Sequence, residues 1–195
     1  MTVRVTLVSP ATGEALRDVR FDDDGPLDPA GIARAEALAD TLAPAAHAYT
    51  SPSLRCRRTA RALGLDAEPL AAIAGCDMGR WRGRTLDAVA SAEGQAVATW
   101  LADPASAPHG GESLLDLRAR VGAWLDTLHT RTGRIIAVTE PDVVRAAVLH
   151  ALAAPAQTFW RLDVRPLTAT ELSGRAERWN LRCGSPLEAR HGDGP

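Results

Sequence analysis

Arg134-Ile135-Ile136-Ala137-Val138-Thr139-Glu140-Pro141-Asp142 is the stretch on which the reading of this chain turns. Its first part, Arg134 to Thr139, is a near-continuous apolar run rich in β-branched residues, the pattern of a strand covered on both faces. A helix is expected directly behind it, from about Asp142 to Leu152. The junction therefore places a carboxylate, Glu140, at the carboxyl end of a buried strand. In open α/β sheets that is where ligands sit.

Two further strands are expected upstream, Val3 to Val8 and His47 to Thr50, and a helix follows each. Asp28-Pro29 reads as an N-cap with proline at the first helical position, opening a helix to about Leu42. The next helix runs from about Ser53 to Leu63 and stops at Gly64. Gly75 to Gly83 is a glycine-punctuated loop with Trp81 tucked under it. Two short helices are expected at Leu86–Ala92 and Gln95–Leu101. Ser113 and Asp116 resemble a capping box, and Leu114, Leu117, Val121, Trp124, Leu125 and Leu128 form one apolar stripe to about Thr130. Pro155 opens a short helix to Trp160. Thr168–Leu172 and Arg175–Leu181, separated by Ser173-Gly174, read as a hairpin. Strands alternating with helices and closed by a hairpin give an α/β sandwich with a mixed sheet. One domain is expected over residues 1–183, with 184–195 as a mobile polar tail.

Composition narrows the function. The 195 residues are 46% hydrophobic and carry 22 basic against 24 acidic side chains, a formal charge of −2. That balance gives no reason to expect nucleic acid or an anionic membrane as partner. No apolar run approaches the roughly 18 residues of a membrane span. The N-terminal residues do not follow a signal-peptide pattern, so a cytoplasmic location is expected. All basic residues other than histidine are arginine, which excludes Schiff-base catalysis and a lysine phosphate cradle. Cys56, Cys76 and Cys183 lack metal or disulfide spacing, and His47, His129, His150 and His191 show no metal spacing either. Asp22 to Asp24 reads as loop, with Mg²⁺ binding as the lesser alternative. No metal or cofactor is expected.

Six segments, in order, resemble the histidine phosphatase superfamily, the phosphoglycerate-mutase-like proteins. They are Leu7-Val8; Asp24-Gly25-Pro26-Leu27 with Gly31 and Ala35; Tyr49-Thr50-Ser51-Pro52-Ser53-Leu54-Arg55 with Thr59-Ala60; Asp77-Met78-Gly79-Arg80-Trp81-Arg82-Gly83; His109-Gly110-Gly111-Glu112-Ser113; and Trp160-Arg161-Leu162-Asp163-Val164 with Thr168-Ala169-Thr170. The resemblance implies a three-layer α/β/α sandwich with a mostly parallel mixed sheet and strand Val3–Val8 at its centre. It also implies a degenerate member. The family's arginine–histidine–glycine triplet falls on Ser9-Pro10-Ala11, so the nucleophile becomes Pro10. The second histidine falls on Glu140, the catalytic acid on Gly75, and only Arg55 is retained. Loss of a nucleophile alone costs on the order of 10⁶-fold in turnover.

The expected binding pocket comprises Ser9, Pro10, Arg55, His109, Glu112 and Glu140. Arg55 and Glu140 are expected to meet across it, with Asp77 as the reserve partner, because a buried guanidinium requires a counter-charge. His109 is expected as an exposed loop residue at the pocket mouth. Cys56 reads as a core filler, with a thiol activated by the neighbouring arginines as the alternative. Arg57, Arg58 and Arg61 read as a solvated face paired with nearby acids. The resulting function is a protein without phosphatase or mutase activity that binds a metabolite or protein partner through the old pocket. The other reading is an isomerase, cyclase or hydrolase of a non-phosphorylated small molecule, with Glu140, Asp142, Asp77 or Glu112 as acid–base carboxylates around Arg55. A homodimer is compatible with either.

Overall fold

Six strands form one sheet in the order β3-β2-β4-β1-β5-β6. The computed structural model describes residues 2–13, 18–21, 24–176 and 178–183. The strands are β1 (Val3–Val8), β2 (His47–Thr50), β3 (Glu68–Pro69), β4 (Gly133–Val138), β5 (Ala169–Arg175) and β6 (Arg178–Arg182). The four strands β3, β2, β4 and β1 run parallel, and the β5–β6 hairpin adds antiparallel to β1. Strand β1 pairs with β4 from Val3↔Gly133 to Val8↔Val138, so its carboxyl end sits level with Thr139 and Glu140. It is an interior strand, as expected.

Alternation along β4 explains the layers. Ile135 and Ala137 enter one cluster with α4 (Leu114–Thr127) and α5 (Pro141–Ala151). Ile136 and Val138 enter the opposite cluster with Ala35 of α1 (Pro29–Glu36) and Cys56 and Ala60 of α2 (Leu54–Ala62). Helices thus cover both faces, which is why the strand reads as an unbroken apolar run. A smaller cluster of Trp81, Val89 and Val97 lies under α3 (Leu86–Ala102). No helix among the described residues is long and apolar enough to cross a membrane.

The helix starts follow the sequence. Asp28, Ser53 and Ser113 each cap with their side chains, accepting from the Gly31, Cys56 and Asp116 amides. Several boundaries differ from expectation. Helix α1 ends at Glu36 rather than near Leu42, although Leu38 and Leu42 still pack against the core cluster it covers. The chain then tightens into a 3₁₀ turn, Ala39–Thr41, with the Thr41 hydroxyl donating to the Leu38 carbonyl at 2.7 Å. The expected pair of short helices is one helix, α3, broken at Glu93 (φ −137°, ψ 39°). The segment after Pro155 is a 3₁₀ turn, Ala156–Arg161. The hairpin does not turn at Ser173-Gly174, since both lie inside β5. A Cβ on Gly174 would come within 2.8 Å of the Trp179 ring, so that glycine makes room for an indole rather than a turn. The expected tail 184–195 lies outside the described residues, as do Asp22, Asp23 and His191.

Candidate functional site

The carboxyl ends of β2 and β4 lie side by side on a common crevice, and each delivers a short polar segment to it. After β2 come Ser51, Pro52 and Ser53, and with Asp24, the 74–78 segment and Arg82 they line a cavity of about 270 Å³. After β4 comes Glu140, one layer behind that lining. Its Oε1 accepts from Ser53 Oγ at 2.7 Å, from Arg55 Nε at 2.9 Å and from Cys56 Sγ at 3.3 Å. Its Oε2 is ion-paired with Arg55 Nη2. The Glu140 side chain is 3% exposed and that of Arg55 16%. The expected Arg55–Glu140 pair is therefore formed, side-on and buried.

Gly75 explains how Glu140 fits. A Cβ at position 75 would stand 3.0 Å from Glu140 Cγ, so the absence of a side chain there leaves room for the glutamate. The two replacements inferred from the resemblance, glycine for the acid and glutamate for the second histidine, are sterically linked. Asp24 makes a parallel arrangement at the start of α2, where its Oδ1 accepts from the Leu54 amide. A helix N-terminus is a ready anion site, and here the chain supplies the anion itself.

Asp142 lies beside this pair. Its Oδ2 accepts from the Cys76 amide at 2.6 Å and its Oδ1 from the Val143 amide at 2.8 Å. Burial, and then the neighbouring Glu140 charge, raise its carboxyl from 3.8 to about 6. Cys56 is a core thiol pushed upward by burial and by Glu140, so it is not an activated nucleophile. Cys76 is raised by burial and by the neighbouring Asp142 and Glu112 charges, and donates to the Glu112 carbonyl at 3.3 Å.

The other expected residues divide. Asp77 lines the cavity, but its Oδ1 accepts from the Gly79 amide at 2.9 Å. Glu112 faces a neighbouring cavity of about 390 Å³. It is held there by Arg120 through Nε at 2.8 Å and Nη2 at 2.6 Å. Arg120 also donates to the Ala72 and Ala74 carbonyls at 3.1 and 3.0 Å, which fixes the wall shared by the two cavities. Ser9 is buried outside the cavity lining, accepting from the Thr168 amide at 3.1 Å, and Pro10 is buried next to it.

His109 is not exposed as expected: it is 2% accessible and lies edge-on to Trp81, with ring centroids 5.1 Å apart. Its Nδ1 accepts from the Gly111 amide at 3.1 Å, which assigns the proton of the neutral ring to Nε2. Burial lowers its pKa from 6.5. The glycine pair that suggested a surface turn in fact folds His109 inward under the indole.

Sequence reasoning missed Asp24, Ser51, Ser53, Arg82 and Arg120 as members of this region. The Ser51-Pro52-Ser53 cap and the Asp24-Gly25-Pro26 turn were the available signals for three of them. Arg82 lies in the quoted Asp77–Gly83 loop, and Arg120 carries no such signal. Among the described residues, no group of His, Cys, Asp and Glu is placed to hold a metal ion.

Comparison with known proteins agrees with this architecture. The family model described as histidine phosphatase superfamily (branch 1) matches residues 12–184. Mycobacterial glucosyl-3-phosphoglycerate phosphatase superposes with a TM-score of 0.81 at 24% identity, covering 92% of this chain and 96% of that one. A phosphoserine phosphatase mutant from Entamoeba histolytica gives 0.83 at 17% identity, covering 93% and 95%. The alpha-ribazole phosphatase from Shigella flexneri gives 0.82 at 20% identity, covering 92% and 94%. These likenesses establish the fold. A sequence search of curated proteins finds no significant match.

Proposed function

The chain belongs to the histidine phosphatase superfamily, and from that premise we propose that it performs neither phosphohistidine phosphatase nor mutase chemistry. It acts instead by binding a metabolite or protein partner through the remodelled crevice. The observation that carries this reading is the buried Arg55–Glu140 pair. Phosphoryl transfer in this family needs an imidazole nucleophile and cations free to hold phosphate oxygens. Here the nucleophile position is Pro10, and the guanidinium that would grip phosphate is engaged by a carboxylate. The Leu54 amide at the start of α2 is engaged by Asp24 in the same sense. The cavity beside these groups is lined by the carboxylates Asp24 and Asp77 together with Arg82.

The direct test is hydrolysis of p-nitrophenyl phosphate by the purified chain. The reading expects no turnover above background. Turnover that co-purifies with the chain and disappears in Arg55→Ala would overturn it.

A second reading has one specific support. Asp142, raised to about 6, is a carboxyl able to exchange protons near neutrality beside the cavity. An isomerase, cyclase or hydrolase of a non-phosphorylated molecule would use it. Turnover of such a substrate with an acid-limb inflection near that value, abolished in Asp142→Asn, would favour this reading over simple binding. Three free cysteines fit the reducing cytoplasm that we propose as its compartment.

A further inference from the structure

We propose a second, separate anion site on the outer face of α2, where Arg57 and Arg61 bind a small phosphorylated molecule that carries hydroxyl groups. The two arginines are one helical turn apart and share a face. Together with Thr50, Gly64, Asp66 and Pro69 they line a cavity of about 540 Å³. That cavity shares no lining residue with the crevice around Ser53 and Gly75.

The sequence pattern predicts that these arginines pair with nearby acids. The structure differs: neither forms an ion pair among the described residues. Elsewhere Arg80 and Arg84 hold Glu93, Arg120 holds Glu112, and Arg182 holds Glu171. Two planar guanidinium forks on one wall, neither ion-paired with a carboxylate among the described residues, match the oxygens of a phosphate.

The position, near the carboxyl end of a helix, would ordinarily oppose an anion. Here two of the terminal carbonyls, those of Ala60 and Arg61, are closed off. The Leu65 amide donates to Ala60 O at 2.9 Å and the Gly64 amide to Arg61 O at 3.0 Å, with Gly64 at φ +72°. That closure is a Schellman cap, and it leaves those carbonyls occupied. Asp66 then sets the ligand class. An ionised carboxylate only accepts hydrogen bonds, so a bare polyanion is disfavoured beside it. A molecule with a phosphate for the arginines and hydroxyl donors for Asp66 satisfies both.

The experiment is titration of the full-length, ¹⁵N-labelled chain with ribose 5-phosphate, with ethyl phosphate and sulfate as comparisons. Amide shifts should concentrate at Thr50 and from Gly64 to Ala67. Each of Arg57→Gln and Arg61→Gln should weaken binding by about tenfold, the loss of one charge-assisted contact, while Arg58→Gln should not. Both arginines are exposed and glutamine keeps helix propensity, so these variants retain the fold. Asp66→Ala should reduce the affinity for ribose 5-phosphate to that for ethyl phosphate. Three results would each overturn the proposal: no binding at millimolar ligand, equal competition by sulfate, or shifts at Ser51, Ser53 and Gly75 instead.

Discussion

Replacing Glu140 by glutamine keeps its shape and removes its charge, which makes Glu140→Gln the sharpest perturbation of the crevice. In the wild type Oε1 accepts from Ser53 Oγ, Arg55 Nε and Cys56 Sγ, while Oε2 faces Arg55 Nη2. A glutamine has one acceptor oxygen. Whichever way its amide is set, an NH₂ group must face either Arg55 Nη2 or the three donors at Oε1. The guanidinium, 16% exposed, loses the Glu140 charge within a site whose other half is 3% exposed. Removing one member of a buried pair costs about 3–5 kcal/mol, against about 0–1 for an exposed one. Urea denaturation of the two proteins, with matched slopes, measures the difference. The double variant Arg55→Met/Glu140→Leu, which removes both charges, should lose less than the two single variants together. A Glu140→Gln loss below about 1 kcal/mol would refute the claim that this pair is buried and mutually dependent.

Other outcomes follow from the same geometry. Pro10→His alone should yield no phosphatase activity, measured by phosphate release, because on the proposed reading Glu140 and Gly75 stand where the reaction requires a second histidine and an acid. The carboxyl of Asp142, raised from 3.8 to about 6, is more readily protonated in the folded chain than in the unfolded chain. Its contribution is therefore complete at pH below about 4 and is lost as pH rises through about 6. Asp142→Asn should flatten that part of a stability–pH curve measured by thermal or urea denaturation. Arg120→Met removes the fork on Glu112 and the bonds to the Ala72 and Ala74 carbonyls. It should cost about 1–3 kcal/mol in denaturant titration and increase hydrogen exchange in residues 71–75.

Most of the sheet was legible because its interior strands are covered on both sides. Val3–Val8 and His47–Thr50 have the expected bounds, since local composition and burial agree there. The caps Asp28, Ser53 and Ser113 were legible for the same local reason. What escaped depends on contacts distant in sequence. The two-residue strand Glu68–Pro69 exists only through its pairing with Tyr49 and Thr50. Gly174 looks like a turn residue until Trp179 is laid across it. His109 is buried by Trp81, which nothing in the loop sequence announces. The break at Glu93 accompanies a carboxylate held by Arg80, Arg84 and the Trp81 indole, and those three reach it from the loop before α3. In the crevice, the Arg55–Glu140 contact was legible because a buried cation needs a partner. The Gly75 clearance that admits Glu140 was visible only in three dimensions.

The central claim is that the chain's own carboxylates occupy the groups that would hold a phosphoryl group. A crystal soaked with vanadate, which mimics phosphate and its transition state, tests that most directly. No vanadate density is expected among Ser51, Ser53, Gly75 and Arg82, with the Arg55 guanidinium still held by Glu140. Vanadate bound there, with Arg55 turned onto its oxygens and Glu140 displaced, would contradict it.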